Sequence, residues 1–305
     1  MLKIIQTRKI WYTISIVLTA LSLFGWFMWD LKYGIDFKGG SLLDVSFAKQ
    51  RPSITQIEGA MKQSEILDAK IQPAGDKGYL IRFQKIDEKI FEEKHQTIKK
   101  NLSAIKIDGV NDNTFTENKF EFIGASLGKE LETKAKQAII IVLISIVLYI
   151  TYAFRKVSKP VESWKYGVAA IIALAHDILI VSGVFVFLGK FAGVEVDSLF
   201  VTALLTILGF SVHDTIVTFD RIRENLFKSR SYDNFEEIIN ISINQTIVRS
   251  LNTSLTTFLA LLAILLFGGE STRYLALALL IGVVIGTYSS IFIASPLLLL
   301  FNKKR

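Results

Sequence analysis

Apolar residues in this chain fall into long blocks separated by charged stretches with alternating patterns. Six blocks approach or exceed the run of about 20 residues that a helix needs to cross a hydrocarbon layer. They are 10–29, 138–154, 167–188, 198–219, 251–267 and 274–301. The first lies behind Lys3, Arg8 and Lys9, as a signal peptide would. Its length exceeds a typical signal core, and it ends in Trp26, Trp29 and Asp30 instead of a small-residue cleavage site. It reads as a retained span with an aromatic interface end.

Residues 30–137 differ. They carry 18 basic and 17 acidic side chains, too many for a membrane-embedded segment and suited to a small water-facing core. A strand is expected over 42–47. Ser53 and Gln56 form a capping-box pattern ahead of a helix to about Gln63. Strands follow over 67–72 and 79–83, with Gly75 and Gly78 supplying the turn. A helix over 87–103 places Ile90, Phe91, Ile98 and Leu102 on one face, and a last strand runs 115–123. This strand-helix-strand-strand-helix-strand order is that of a ferredoxin-like unit. Residues 128–137 then lead helically into the second span. The expected fold is a polytopic α-helical membrane protein with six transmembrane helices and one extracytoplasmic α+β domain between the first two. Its parts are 1–29, 30–137 and 138–305.

Charge sets the orientation. The 305 residues carry a net +7 and no cysteine, which excludes disulfides, thiolate metal sites and a cysteine nucleophile. The excess Lys and Arg gathers at alternate ends of the spans rather than in a nucleic-acid patch. Lys3, Arg8 and Lys9 lie at the N-terminus, and Arg155, Lys156, Lys159 and Lys165 in the second-to-third connection. Arg221, Arg223, Lys228, Arg230 and Arg249 lie in the fourth-to-fifth connection, and Lys303, Lys304 and Arg305 at the C-terminus. The opposite short loops hold only Lys190 and Arg273. By the positive-inside rule both termini are cytoplasmic and 30–137 lies outside. In the last block, Gly282 and Gly286 have the spacing that lets helix backbones approach.

The spans contain ionisable groups: His176 and Asp177 in the third, His213 and Asp214 in the fourth, with Asp220, Arg221 and Arg223 at its end. Arg249 opens the fifth, followed by Asn252, Thr253, Ser254, Thr256 and Thr257. An Asp at a helix centre costs roughly 2.5–3.5 kcal/mol on insertion scales, so such residues face a bundle interior, a wet cavity or a partner charge. Asp214 and Arg249 lie at compatible depths on consecutive spans. A proton relay and a static ion pair both fit them. Asp177 lies near mid-membrane, and either His176 or His213 serves as a further relay group or as packing. The pattern shows no metal cluster, no cofactor site and no nucleotide-binding loop.

Gly34-Ile-Asp-Phe-Lys-Gly-Gly40 resembles the G-x-D-F-x-G-G signature of the SecD/SecF family of translocon accessory proteins, within the resistance-nodulation-division (RND) superfamily. The run from Gly209 to Asn225, holding Thr215, resembles the fourth-span motif of the SecF branch. Arg249 to Thr257, followed by Phe267-Gly-Gly269, resembles the fifth-span segment, and His176-Asp177 matches the third. One modest outer domain favours that branch over SecD or a fused SecDF.

The resemblance implies a subunit of the bacterial cytoplasmic (inner) membrane without cofactor or enzymatic activity. It implies pairing with SecD and action with the SecYEG channel, YajC, YidC and unfolded preprotein, and no nucleic acid. It implies proton-motive-force-dependent help in late preprotein export, with Asp214 and Arg249 linked to proton conduction. The family motif residues here are Gly34, Asp36, Phe37, Gly39, Gly40, Thr215, Asp220, Arg221 and Arg223. His213 departs from the pattern, where Asn stands in many relatives. Two other functions remain open from sequence: a proton-coupled small-solute exporter of the RND type, and a non-catalytic assembly scaffold.

Overall fold

The computed structural model describes residues 2–83, 90–107, 113–155, 161–229 and 234–301. The chain forms two compact units, 33–135 and the combination of 1–32 with 136–305.

The 33–135 unit begins with the short helix α2 (Ile35–Lys38), since α1 (Arg8–Trp29) belongs to the other unit. Then come β1 (Gly40–Phe47), α3 (Ile54–Gln63), β2 (Lys70–Ala74), β3 (Gly78–Phe83), α4 (Phe91–Ser103) and β4 (Phe115–Ile123). The sheet order is β2-β3-β1-β4 and every pairing is antiparallel, the arrangement expected of a ferredoxin-like unit. Alternation explains its core: Leu43, Val45 and Phe47 on β1 and Tyr79, Ile81 and Phe83 on β3 point to one face. Ile57 and Met61 of α3 and Ile98 and Leu102 of α4 join them in one buried cluster.

The capping box forms as the sequence indicates. The Gln56 amide donates to Ser53 Oγ at 3.3 Å, and the Ser53 amide donates to Gln56 Oε1 at 2.9 Å. The strand expected over 67–72 instead occupies Lys70–Ala74, because Leu67 is 81% exposed and outside the core. Of the helix expected over 87–103, Asp87 lies outside the described residues. Ile90 sits at the N-cap, exposed, and not on the buried face.

The other unit holds α1 (Arg8–Trp29), α6 (Ser163–Ala192), α7 (Ser198–Lys228), α8 (Phe235–Phe267) and α9 (Glu270–Ser289). A π-turn (Ser290–Ala294) and α10 (Ser295–Leu300) continue the last of these. Helix α5 (Ala125–Ala153) supplies the second long apolar segment. Among the described residues, six helical stretches are long and apolar enough to cross a membrane. Helices α5, α7 and α8 run well past their apolar blocks. Helix α8 starts at Phe235, where Ile238, Ile239 and Ile243 recur at helical spacing and are buried, although polar residues between them break the block. Arg221, Arg223, Lys228 and Arg249 therefore stand on helices and not in a loop.

Helices α6 and α7 and the last span are the inner ones, with 56%, 44% and 56% of their most apolar windows buried. The two glycines of the last block do bring backbones together. A Cβ on Gly282 would lie 2.2 Å from the Ile207 side chain, and one on Gly286 would lie 3.0 Å from Ser211 Cβ.

Candidate functional site: two carboxyl groups in a ring of hydroxyls

Asp177 on α6 is wholly buried, and Asp214 on α7 is 7% exposed. Each is held mainly by hydroxyls from neighbouring helices. Asp177 Oδ2 accepts from Ser211 Oγ of α7 at 2.6 Å and from Ser289 Oγ of α9 at 2.8 Å. Its Oδ1 lies 2.9 Å from His176 Nδ1. Asp214 Oδ2 accepts from Ser290 Oγ at 2.6 Å, and its Oδ1 accepts from Ser250 Oγ of α8. One turn beyond Ser250, the Ser254 hydroxyl bonds that of Thr287, tying α8 to α9 again. Helix geometry puts these groups in reach: residues three or four apart share a face, so Ser211 and Asp214 look into the same interior.

Hydroxyl partners of this kind do not by themselves fix the protonation state of an acid. A hydroxyl both donates and accepts, so it satisfies an ionised carboxylate or a neutral carboxyl equally well. A cation locked against Asp214 would favour only the ionised form. Among the described residues no Lys, Arg or His forms an ion pair with Asp214, and Asp177 has only His176. His176 Nε2 is buried without a hydrogen-bond partner.

Among the described residues no ion pair joins Asp214 to Arg249, the juxtaposition expected from depth. Ser250 faces inward to Asp214, and the next residue back, turned about 100° around the helix, is exposed. Arg249 instead heads an outward stripe with Asn252, Thr253 and Thr256, spaced on one face of α8. His213 is likewise exposed, on the side of α7 opposite the acids. It lines a shallow apolar pocket with Val142, Ser145, Tyr149 and Ile216.

Thr215 is buried beside Asp214 in α7. At the end of α7, Asp220 pairs with Arg223 and Arg221 with Glu224; Arg221 Nε also donates to Gln245 at 2.6 Å. In the other unit, Gly34 caps α2, and Phe37 meets the Tyr33 ring edge-on at 5.8 Å. Asp36 lies in the first turn of α2. Gly39 and Gly40 have φ of +74° and +138°, which L side chains rarely adopt, and they turn α2 into β1. The double glycine is thus a backbone device.

Sequence reasoning missed Ser211, Ser250, Ser289 and Ser290. Ser211 and Ser250 lay inside the motifs already singled out. The signal for the other two was a pair of adjacent serines in the middle of a long apolar block.

The fold and these buried acids define a polytopic membrane protein with an α+β domain between its first two spans. The family model described as protein export membrane protein SecD/SecF, C-terminal, matches residues 103–304, and the SecD/SecF GG motif matches residues 31–50. The protein translocase subunit SecF of Thermobaculum terrenum is 41% identical over 100% of this chain and 95% of its own length. That of Anaerolinea thermophila is 40% identical over 99% and 94%. The crystal structure of SecDF from Thermus thermophilus, a translocon-associated membrane protein, superposes with a TM-score of 0.80 at 32% identity. That match covers 98% of this chain, which spans only 38% of the SecDF chain. The chain belongs to the SecD/SecF family, among its SecF protein translocase subunits: a transport protein rather than an enzyme.

Proposed function

We propose that this chain pairs with SecD and uses the proton motive force to promote late steps of preprotein export through SecYEG, with YajC and YidC as further partners. In this reading it lies in the bacterial cytoplasmic membrane with both termini inside. Residues 30–137 project outward, where they meet emerging unfolded preprotein, and 1–29 and 138–305 form the membrane part.

The observation that carries the proposal is the environment of Asp214: buried, hydroxyl-bonded and without a cation among the described residues. Such a group can exist in either protonation state with its hydrogen bonds satisfied. Each charge crossing 100 mV supplies about 2.3 kcal/mol, enough to shift a two-state equilibrium roughly 50-fold. The outward polar stripe on α8 supports the partner. Arg249, Asn252, Thr253 and Thr256 are poor neighbours for lipid and good ones for another polar helix. Thr202, Thr206, Gly209 and His213 form a second small and polar row on the exposed face of α7. Arg249 then enters the relay in the complex with SecD, and Asp177 and His176 form a second proton-binding pair.

The test is reconstituted translocation with and without a proton gradient. Asp214→Asn is expected to insert and bind SecD, yet to lose the gradient-dependent part of export. Full gradient-dependent export by that variant would reduce the acids to a structural lock.

A further inference from the structure

We propose that Ser289 and Ser290 are positioning residues that couple the protonation of Asp177 to that of Asp214. This deepens the reading above and rests on Asp214 being a titrating group.

The two acids stand on different helices, yet adjacent residues of the last span reach both. Ser289 Oγ donates to Asp177 Oδ2 at 2.8 Å, and Ser290 Oγ donates to Asp214 Oδ2 at 2.6 Å. Consecutive residues on a helix point about 100° apart, so one peptide unit is clasped from two sides. Both serines are wholly buried, so water does not compete for their hydroxyls.

Each hydroxyl also has a second acceptor. Gly286 O is 3.1 Å from Ser289 Oγ, and Thr287 O is 3.0 Å from Ser290 Oγ. A hydroxyl has one proton to give. While the acid is ionised, the serine gives it to the carboxylate. Once the acid takes a proton from water, the carboxyl O–H can donate to the serine oxygen, and the serine proton turns to its own helix carbonyl. The acid gains and later returns one proton; the serine keeps its own throughout.

This exchange occurs where the helix is least uniform. Ser290 opens the π-turn, and Ser295 Oγ donates to Ser290 O at 3.1 Å across it. A π-turn is a register irregularity that tolerates rearrangement better than a regular helix turn. Among the described residues no hydrogen bond joins the two serine hydroxyls, so the link runs through the backbone and is not a proton wire.

The ionisable groups around the pair are few. His176 contacts Asp177 on α6, and the Tyr288 ring of α9 stacks 6.3 Å from His176 while its hydroxyl bonds Ser15 of α1. Among the described residues of α8, Ser250 hydrogen-bonds Asp214, while the neighbouring Arg249 is exposed, as is His213 on α7.

The experiment uses the full chain in lipid nanodiscs. The infrared band of protonated carboxyl is titrated with pH and assigned by Asp214→Asn and Asp177→Asn. Asp177→Asn is expected to change the proton affinity of Asp214 about tenfold, the scale at which two sites titrate as a pair. In a Ser289→Ala background that change should shrink below about threefold, and Ser289→Thr should restore it. Ser290→Ala probes the link from the other side and serves if Ser289→Ala fails to fold. A direct charge–charge link would survive loss of either hydroxyl. An unchanged Asp177→Asn effect in both alanine backgrounds therefore overturns the proposal, as does an Asp214 indifferent to Asp177. An Asp214 that never titrates has a separate signature: it removes the relay reading and this coupling together.

Discussion

In the 33–135 unit, Leu43, Val45 and Ile81 are fully buried. The unit holding α6 to α9 also buries an apolar cluster that includes Phe219 and Ile239, but it leaves Phe27 and Phe267 90% and 88% exposed and encloses Asp177, Ser211, Ser289 and Ser290 at 0%. The difference follows from the solvent. Water drives apolar side chains together, so in the first unit burial tracks hydrophobicity. Lipid is as apolar as leucine, so in the second, helices meet through small residues and hydrogen-bonding groups. The buried acids are therefore part of what selects the inner helices. Helices α6 and α7 and the last span carry the acids and the serine pair, and they are also the most enclosed.

Placing the same group in both interiors breaks this comparison most directly. Leu43→Asp puts a carboxyl among Ile57, Ile81 and Phe83 with no polar partner in that apolar cluster. The cost is several kcal/mol, a large share of the roughly 5–15 kcal/mol that holds a domain folded. The variant is expected to make the 33–135 unit protease-sensitive while the helical unit stays resistant. Limited proteolysis of the full chain in lipid reads both. A 33–135 unit that remains resistant contradicts the proposed difference between the interiors.

A smaller effect comes from adding one methyl group to a glycine in each unit. A Cβ on Gly183 of α6 would lie 2.8 Å from Ser22 Cα of α1, so the helices must separate. Overpacking of this kind costs about 1–3 kcal/mol, and Gly183→Ala should lower the thermal midpoint. Gly59 of α3 has nothing within 4 Å of such a Cβ. Gly59→Ala should raise the stability of its unit by about 0.5–1 kcal/mol through helix propensity. Equal effects at the two sites would mean that close backbone approach is not what holds α1 on α6.

The same contrast explains what could be read from sequence. The sheet of the 33–135 unit was legible because alternation and the Ser53–Gln56 cap are local signals, and Phe115–Ile123 falls where the pattern put it. Strand β2 starts later than its apolar residues suggest, because Leu67 is exposed and the segment bends near Glu65, whose φ is +61°. In the helical unit, the spans were legible from block length, and the acids from being ionisable in apolar surroundings. Their partners were less so. A serine in an apolar helix is common and carries no charge to mark it. Which residue of the Arg249-Ser250 pair turns inward depends on helix phase, and depth along the membrane does not determine that.

The smallest expected effect concerns an acid that, unlike Asp214, sits in water. Glu65 is held below its ordinary carboxylate range, first by the hydrogen bond it accepts from Lys94 and then by that residue's charge. A depressed folded-state pKa stabilises the fold above the unfolded-state value of about 4.3. The contribution disappears as pH falls through the folded value, where both states are protonated. Glu65→Gln should therefore unfold slightly more easily than wild type near neutral pH, with the gap closing on acidification below the carboxylate range. Denaturant titrations of the 33–135 transition at both pH values measure it. Because the pair is exposed, solvent and salt screen it, and the gap should shrink again in high salt. A large, salt-insensitive gap would mean that an exposed acid in the sheet unit contributes as strongly as a buried one, leaving the surrounding medium without the role assigned to it.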